Sequence, residues 1–322
     1  MTTVCLEDIQ AAARRISSTC LRTPVLALLP RDSNPALLLK AESLQPTGAF
    51  KLRGATNAIA LLTAEQRAAG VVTHSSGNHA QAIASAASAA GIRAEVVMPI
   101  GSPTIKVEAT ERWGAVVTFV PAEFRAAACQ DIADRTGAHV IAPYDDARVI
   151  AGQGTIGLEI LEQVPDVESV LVPVGGGGLI SGIAVAIKVL RPDVRVIAVE
   201  PELAGDLAEG FARRRIARWT AEQTSRTIAD GVRTQQVGEL NWEIISALVD
   251  DAMTVSEEQI RSAVRIIFSG ARIVAEPSGA VSTAGYFAHA ERLGLGRTVA
   301  VVSGGNVDPA SFAELLSRGP LP

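Results

Sequence analysis

Short apolar runs alternate along this chain with longer, Ala-rich, helix-like stretches. The runs Ala36–Ala41, Val71–Ser75, Ala94–Met98, Val116–Val120, His139–Ala142, Ser169–Val174, Arg195–Glu200 and Thr298–Ser303 predict strands. Between them Lys51–Ala69, Asn78–Ala90, Ser102–Trp113, Glu123–Arg135, Gly152–Gln163 and Leu179–Leu190 predict helices. Gly70, Gly91, Gly114 and Gly137 stand where helices should stop. Strand–helix alternation implies an α/β protein with parallel sheets, and the apolar, β-branched strands suit sheets covered on both faces. Arg213–Thr227 is polar and reads as a surface excursion. No repeat, heptad or low-complexity tract interrupts the pattern, and composition marks no domain boundary.

The chain has 322 residues, 48% hydrophobic and 20% charged, enough for two domains or one large one. Only 4% is aromatic, and abundant Ala, Val, Ile and Gly suit close packing of helices on sheets. A net charge of -5, with no basic run interleaved with aromatics, argues against a nucleic-acid partner. Arg213-Arg214-Arg215 reads as a solvated helix face. Cys5, Cys20 and Cys129 have no metal-type spacing and fit a reducing cytoplasm. No signal peptide is expected, and no apolar run is long enough to span a bilayer, so no membrane partner is expected either.

Lys51 lies between Phe50 and Leu52 at the start of a predicted helix, after the turn residues Pro46 and Gly48 and a candidate cap, Thr47. Apolar surroundings disfavour the charged form of a lysine and free its amine to form a Schiff base with a carbonyl cofactor. Further on, Gly175, Gly176, Gly177 and Gly178 sit between a strand and a helix. Their N–H groups can converge on a phosphate, with the helix end adding its positive pole. The dinucleotide fingerprint fails, because its last glycine falls on Ile180 or Ser181; the Walker loop fails because Ile183 replaces its lysine. A smaller phosphorylated cofactor fits better.

Other loops carry candidates with a plainer reading beside each. Ser75-Ser76-Gly77-Asn78-His79 can bind a carboxylate at a helix start, with Asn78 able to bond a phenolic oxygen; an ordinary Ser/Asn cap has the same residues. Ser303 ends a strand where open α/β sheets bind ligands. Glu200 to Asp206 is a hard-cation candidate or a pair of solvated acids. Glu276 is either an acid under the cofactor or a structural one. No histidine pair has zinc spacing and no Gly-x-Ser-x-Gly elbow exists, so His79 reads as a packing residue rather than a general base.

Four motifs occur in order: Ser-x-x-x-Thr-Gly-Ala-Phe-Lys-x-Arg-Gly-Ala around Lys51, Ser-Ser-Gly-Asn-His, the tetraglycine loop and Ser-Gly-Gly-Asn. From about Ile9 to Asn306 the chain resembles the fold type II pyridoxal-phosphate enzymes, specifically threonine/serine dehydratases and the similar serine racemases. The resemblance implies a tryptophan synthase β-like α/β fold of two open, twisted, mostly parallel sheets with flanking helices. Residues 1–68 and 147–322 would form a large cofactor-binding domain, and 69–146 a small domain closing over the substrate. It implies pyridoxal 5'-phosphate in Schiff-base linkage to Lys51, near Phe50. Asn78 would meet the 3' oxygen, Ser303 the pyridine nitrogen, and Gly175, Gly176, Gly177 and Gly178 the phosphate. Ser75, Ser76, Gly77, Asn78 and His79 would take the substrate carboxylate, and Ser76 would act on the opposite face of Cα in a racemase. Glu200, Ala204 and Asp206 match the spacing of the family's cation site, implying Mg²⁺ or Ca²⁺. A homodimer is the family habit. Ala80 departs from the family, many members of which have glycine there, and isoleucine feedback through a C-terminal regulatory domain is not expected.

The reaction so implied is β-elimination from a 3-hydroxy amino acid such as L-threonine or L-serine, giving a 2-oxo acid and ammonia. A neutral serine at Ser303 favours an unprotonated ring and so elimination over transamination. The alternatives are serine or aspartate racemisation, dehydration of 3-hydroxyaspartate or phenylserine, and a catalytically silent protein that binds the same cofactor.

Overall fold

The computed structural model describes residues 4–28, 37–75, 77–102, 104–294 and 296–317. Its strands are β1 (Val25–Ala27), β2 (Leu37–Ala41), β3 (Val71–His74), β4 (Ala94–Pro99), β5 (Val116–Val120), β6 (His139–Val140), β7 (Ser169–Pro173), β8 (Arg195–Pro201), β9 (Asp251–Val255) and β10 (Thr298–Val302). They form a larger sheet in the order β1-β2-β10-β7-β8-β9 and a smaller one in the order β5-β4-β3-β6. Only β1 runs antiparallel to its neighbour. The smaller sheet is drawn wholly from residues 71–140, and the larger one from the chain on either side.

Period-two alternation explains the layering. Leu171, Ile197, Val199, Ala300 and Val302 face one core, against Val281 and Ala284 of the helix Pro277–Ala288. Their neighbours Val170, Val172, Val196, Ala198, Val299 and Val301 face the other, against Ile180, Ile183 and Ile187 of the helix Gly178–Leu190. Strands buried on both faces need apolar residues at every position, which is why they read as continuous runs. The smaller sheet repeats the scheme, with Val96 and Met98 against the helix Asn78–Ala89 and Val72 and Val97 against Arg125–Thr136.

Several elements differ from expectation. The helix expected over Lys51–Ala69 is two, Lys51–Ala60 and Ala64–Ala69. Thr63 caps the second, its hydroxyl accepting from Gln66 N at 3.2 Å while its own N–H donates to Gln66 Oε1. Thr47 is not the cap of the first. The turn closed by Gly48 N donating to Gln45 O, followed by the Ala49–Gly304 bridge, puts it ahead of the helix, with its hydroxyl buried and without a partner among the described residues. The helix Ala147–Gln163 begins earlier than expected because Asp146 caps it. The edge strands β1 and β9 were not expected: β9 mixes Asp251 and Thr254 with its apolar residues, and β1 is three residues of a short apolar run between Pro24 and Pro30.

Two features hold the helix that begins at Lys51. It crosses Ala147–Gln163 at backbone contact: a Cβ on Gly152 would lie 2.6 Å from Gly54 Cα. Ala147–Gln163 in turn touches Gly178–Leu190, where a Cβ on Gly182 would lie 2.3 Å from Ile150 O. Beside this stack, buried Arg53 bonds both oxygens of Glu42 at 2.8 Å and both of Glu159 at 2.6 and 2.9 Å, and Lys40 joins Glu159 at 2.6 Å. Removing one member of such a set strands its partners in the interior. Arg53→Ala should therefore lower the unfolding free energy by about 3–5 kcal/mol in a urea titration; a loss below about 1 kcal/mol would show the network to be incidental.

Candidate active site

Lys51 opens its helix directly after Phe50, whose N–H donates to Ser303 O at 3.0 Å. The lysine is thus moored to the carboxyl end of β10. Its amine donates to Pro143 O at 2.6 Å and lies 5.1 Å from the centroid of the Phe50 ring. Burial, with no carboxylate among the described residues to offset it, pulls its pKa down to about 8.

Ser303 is buried at the end of β10, and the next residue, Gly304, accepts from Glu276 N at 3.0 Å. Asn78, the first residue of its helix, reaches across from the smaller sheet. Its Nδ2 donates to Glu276 Oε1 at 2.6 Å, and its Oδ1 accepts from Asn306 Nδ2 at 2.8 Å. Asn306 Nδ2 also donates to Thr47 O. Burial, then the charge of Asp230, pushes Glu276 up to about 8 against the opposing pull of Asn78, so this acid holds its proton through neutral pH.

The tetraglycine loop follows β7 and leads into Gly178–Leu190. Gly177 has φ +95°, and a Cβ on Gly176 would lie 2.2 Å from Cγ of Tyr144. The Tyr144 ring therefore rests on the loop, and only glycine admits it. The N–H groups of Gly175, Gly176, Gly177 and Gly178 find no acceptor among the described residues. Unpaired donors at a helix N-terminus are what a phosphate requires. The residues present thus fit a phosphorylated aldehyde: an anion cradle, a desolvated amine, and Asn78 and Ser303 beside it.

One segment ties these parts together. Ile141 O accepts from Thr73 Oγ1 and His79 Nε2, Pro143 O holds Lys51, Tyr144 covers the loop, and the Asp145 carboxylate accepts from Glu239 N and Leu240 N. His79 is buried and its pKa falls to about 3, through burial and then the charge of Lys51. It is neutral, with Nε2 committed to a carbonyl. Ser75 Oγ accepts from Gly77 N at 3.2 Å. Ser76 lies outside the described residues.

Glu200, at the end of β8, accepts from Leu207 N at 3.1 Å and Ala208 N at 2.7 Å. Asp206 is buried, and neither of its carboxylate oxygens has a partner among the described residues. Burial raises Asp206 to about 7; burial, then the charge of Asp206, raises Glu200 well above the carboxylate range. Two apposed buried acids with vacant lone pairs fit a hard cation. Among the described residues no group of three or more His, Cys, Asp or Glu forms, so a cation here would draw further ligands from carbonyls such as that of buried Ala204 and from water.

Residues 16–304 match the family described as "Pyridoxal-phosphate dependent enzyme". The chain belongs to this family. The pyridoxal-phosphate-dependent enzyme is 41% identical over 320 residues to the L-threonine ammonia-lyase of Thermotoga maritima, covering 98% of this chain and 79% of the relative. It is 42% identical to the serine racemase of Arabidopsis thaliana, covering 95% and 94%. Among solved structures it superposes on the T.th. threonine deaminase with a TM-score of 0.89 at 43% identity, covering 94% and 99%. Its two mostly parallel sheets with flanking helices are the fold type II arrangement.

Two residues of the candidate site escape sequence reading. Asn306 lay within a quoted motif but without a role, and Tyr144 gave only the signal of an aromatic residue ahead of two acids. For the carboxylate pair, millimolar Mg²⁺ or Ca²⁺ should raise the melting temperature of the wild type by several degrees, as a ligand of the folded state does, and Asp206→Asn should abolish the response. An unresponsive wild type would mean that the pair shares a proton instead.

Proposed function

We propose that the protein is a pyridoxal-phosphate-dependent ammonia-lyase that eliminates water from a 3-hydroxy amino acid such as L-threonine or L-serine, releasing a 2-oxo acid and ammonia. The observation that carries this reading is a desolvated lysine amine tied through the segment 143–144 to a phosphate cradle and not neutralised by any carboxylate among the described residues. The kinship with a threonine ammonia-lyase and a threonine deaminase supports the choice of substrate.

Gly175, Gly176, Gly177 and Gly178 would hold the cofactor phosphate, Asn78 and Ser303 would hold its ring, and Lys51 would anchor it. The bound cofactor supplies an electron sink for the substrate Cα. Lys51 moves the Cα proton, since an amine with a pKa near 8 exchanges protons readily at neutral pH. Pro143 O keeps that amine facing the cleft when it is free. Phe50 covers it on one side and keeps water off. The first-turn N–H groups of the helix Asn78–Ala89 take the substrate carboxylate, with Ser75 and Gly77 shaping the loop before them. The His79 ring packs and is not a base, because it does not ionise above about pH 3. Glu200, Ala204 and Asp206 would hold Mg²⁺ or Ca²⁺ at the end of β8, one strand over from the glycine loop.

A homodimer is part of this proposal, supported by exposed apolar side chains such as Leu44, Phe268, Val274 and Phe287. No helix among the described residues is long and apolar enough to cross a membrane.

The loaded protein should release ammonia and the matching 2-oxo acid from L-threonine and L-serine, and Lys51→Ala should lose about 10³-fold or more of that rate. Turnover unchanged in Lys51→Ala would remove the lysine from the reaction. The 42% identity to a serine racemase makes racemisation the second reading. Chiral analysis of the recovered serine separates the two, since D-serine formed faster than pyruvate would favour the racemase.

A further inference from the structure

The segment 227–233 is fastened to the larger sheet's side of the cleft at three points. Thr227 Oγ1 and Ile228 N each donate to the Glu257 carboxylate at 2.7 Å. Gly231 N donates to Ser278 Oγ at 2.8 Å, two residues beyond Glu276. Val232 backs the phosphate loop so closely that a Cβ on Gly175 would lie 2.9 Å from Val232 Cα. Asp230, in the middle of this segment, turns the other way. It forms an ion pair with Lys106 on the helix Thr104–Glu111, which is carried by the smaller sheet between β4 and β5. Lys106, Asp230, Glu276 and Asn306 line one cavity of about 520 Å³.

We propose that Lys106 and Asp230 are positioning residues that latch the smaller unit over the substrate and transmit its closure to the phosphate loop through Val232. The inference rests on reading the cleft as an amino-acid site. Its physical basis is that the two charges belong to elements on opposite sides of the cleft. Their side chains are only 18% and 35% exposed, so water screens the pair less than it screens a surface pair. Opening the cleft separates them and hydrates both; closing it restores the pair. Asn78 bridges to Glu276 and Asn306 across the same gap, so the latch acts together with a contact inside the site. Closure that excludes water and completes a site raises affinity for whatever the closed form holds.

The test uses the cofactor-loaded protein and two readouts. The first is binding of glycine, which has no β-hydroxyl to lose, followed by the change in cofactor absorbance. The second is hydrogen exchange in the helix Thr104–Glu111 with and without glycine. Lys106→Met should weaken glycine binding and raise KM for L-threonine by about three- to tenfold, with kcat reduced less. It should also abolish the glycine-induced protection of Thr104–Glu111. Lys106→Asp and Asp230→Lys should each be worse than Lys106→Met, and the double exchange should recover most of the loss. Should a single reversal fail to fold, Lys106→Gln and the double exchange carry the test. Unchanged glycine affinity in Lys106→Met, or a double exchange no better than either reversal, would overturn the latch while leaving the lyase reading in place. A wild type that neither binds glycine nor turns over threonine would remove both.

Discussion

Keeping one lysine amine out of water is the constraint around which the rest of the molecule is arranged. Among the described residues no carboxylate stands by Lys51; only the Pro143 carbonyl and the face of the Phe50 ring meet its charge. The fold must therefore impose that position. It does so with backbone contact between the helix of Lys51 and Ala147–Gln163, and with the buried set of Arg53, Lys40, Glu42 and Glu159. Arg53 lies two residues beyond the lysine, so the charge satisfied in the interior fixes the helix end that presents the uncompensated one.

The same stack sets the distance to the phosphate cradle. Ala147–Gln163 touches the helix of Lys51 on one side and Gly178–Leu190 on the other, through glycines at both crossings. A side chain at either crossing would push the amine and the glycine loop apart. The segment 141–146 adds a second tie, since Pro143 holds the amine while Tyr144 lies on Gly176. Two chemically unlike requirements, a dry amine and a row of unpaired N–H groups, are thereby met by one packing arrangement.

Much of this was legible in the amino-acid order, for definite reasons. Strands buried on both faces must be apolar throughout, so β3, β4, β7, β8 and β10 stood out. Lys51, the four glycines, Asn78 and Ser303 lie within contiguous motifs, and contiguity is what a single sequence displays. What it does not display is pairing at a distance. Arg53 meets Glu159 from 106 positions away, and Asn78 meets Asn306 from 228. Lys106 and Asp230 are 124 apart. Tyr144 owes its place to the contour of Gly176, which no spacing rule encodes. Thr47 misled because a capping residue and a turn residue look alike until the hydrogen bonds are drawn.

The most direct test of the account is the capture of pyridoxal phosphate by the cofactor-free protein, followed by absorbance across pH, with the product fixed by borohydride and the modified residue mapped by mass spectrometry. Only the free amine attacks an aldehyde, and burial brings Lys51 to about 8. The label should therefore fall on Lys51, with a capture rate that climbs to about pH 8 and then levels. A label on another lysine, or a rate still climbing towards the ordinary lysine value of about 10.4, would contradict it.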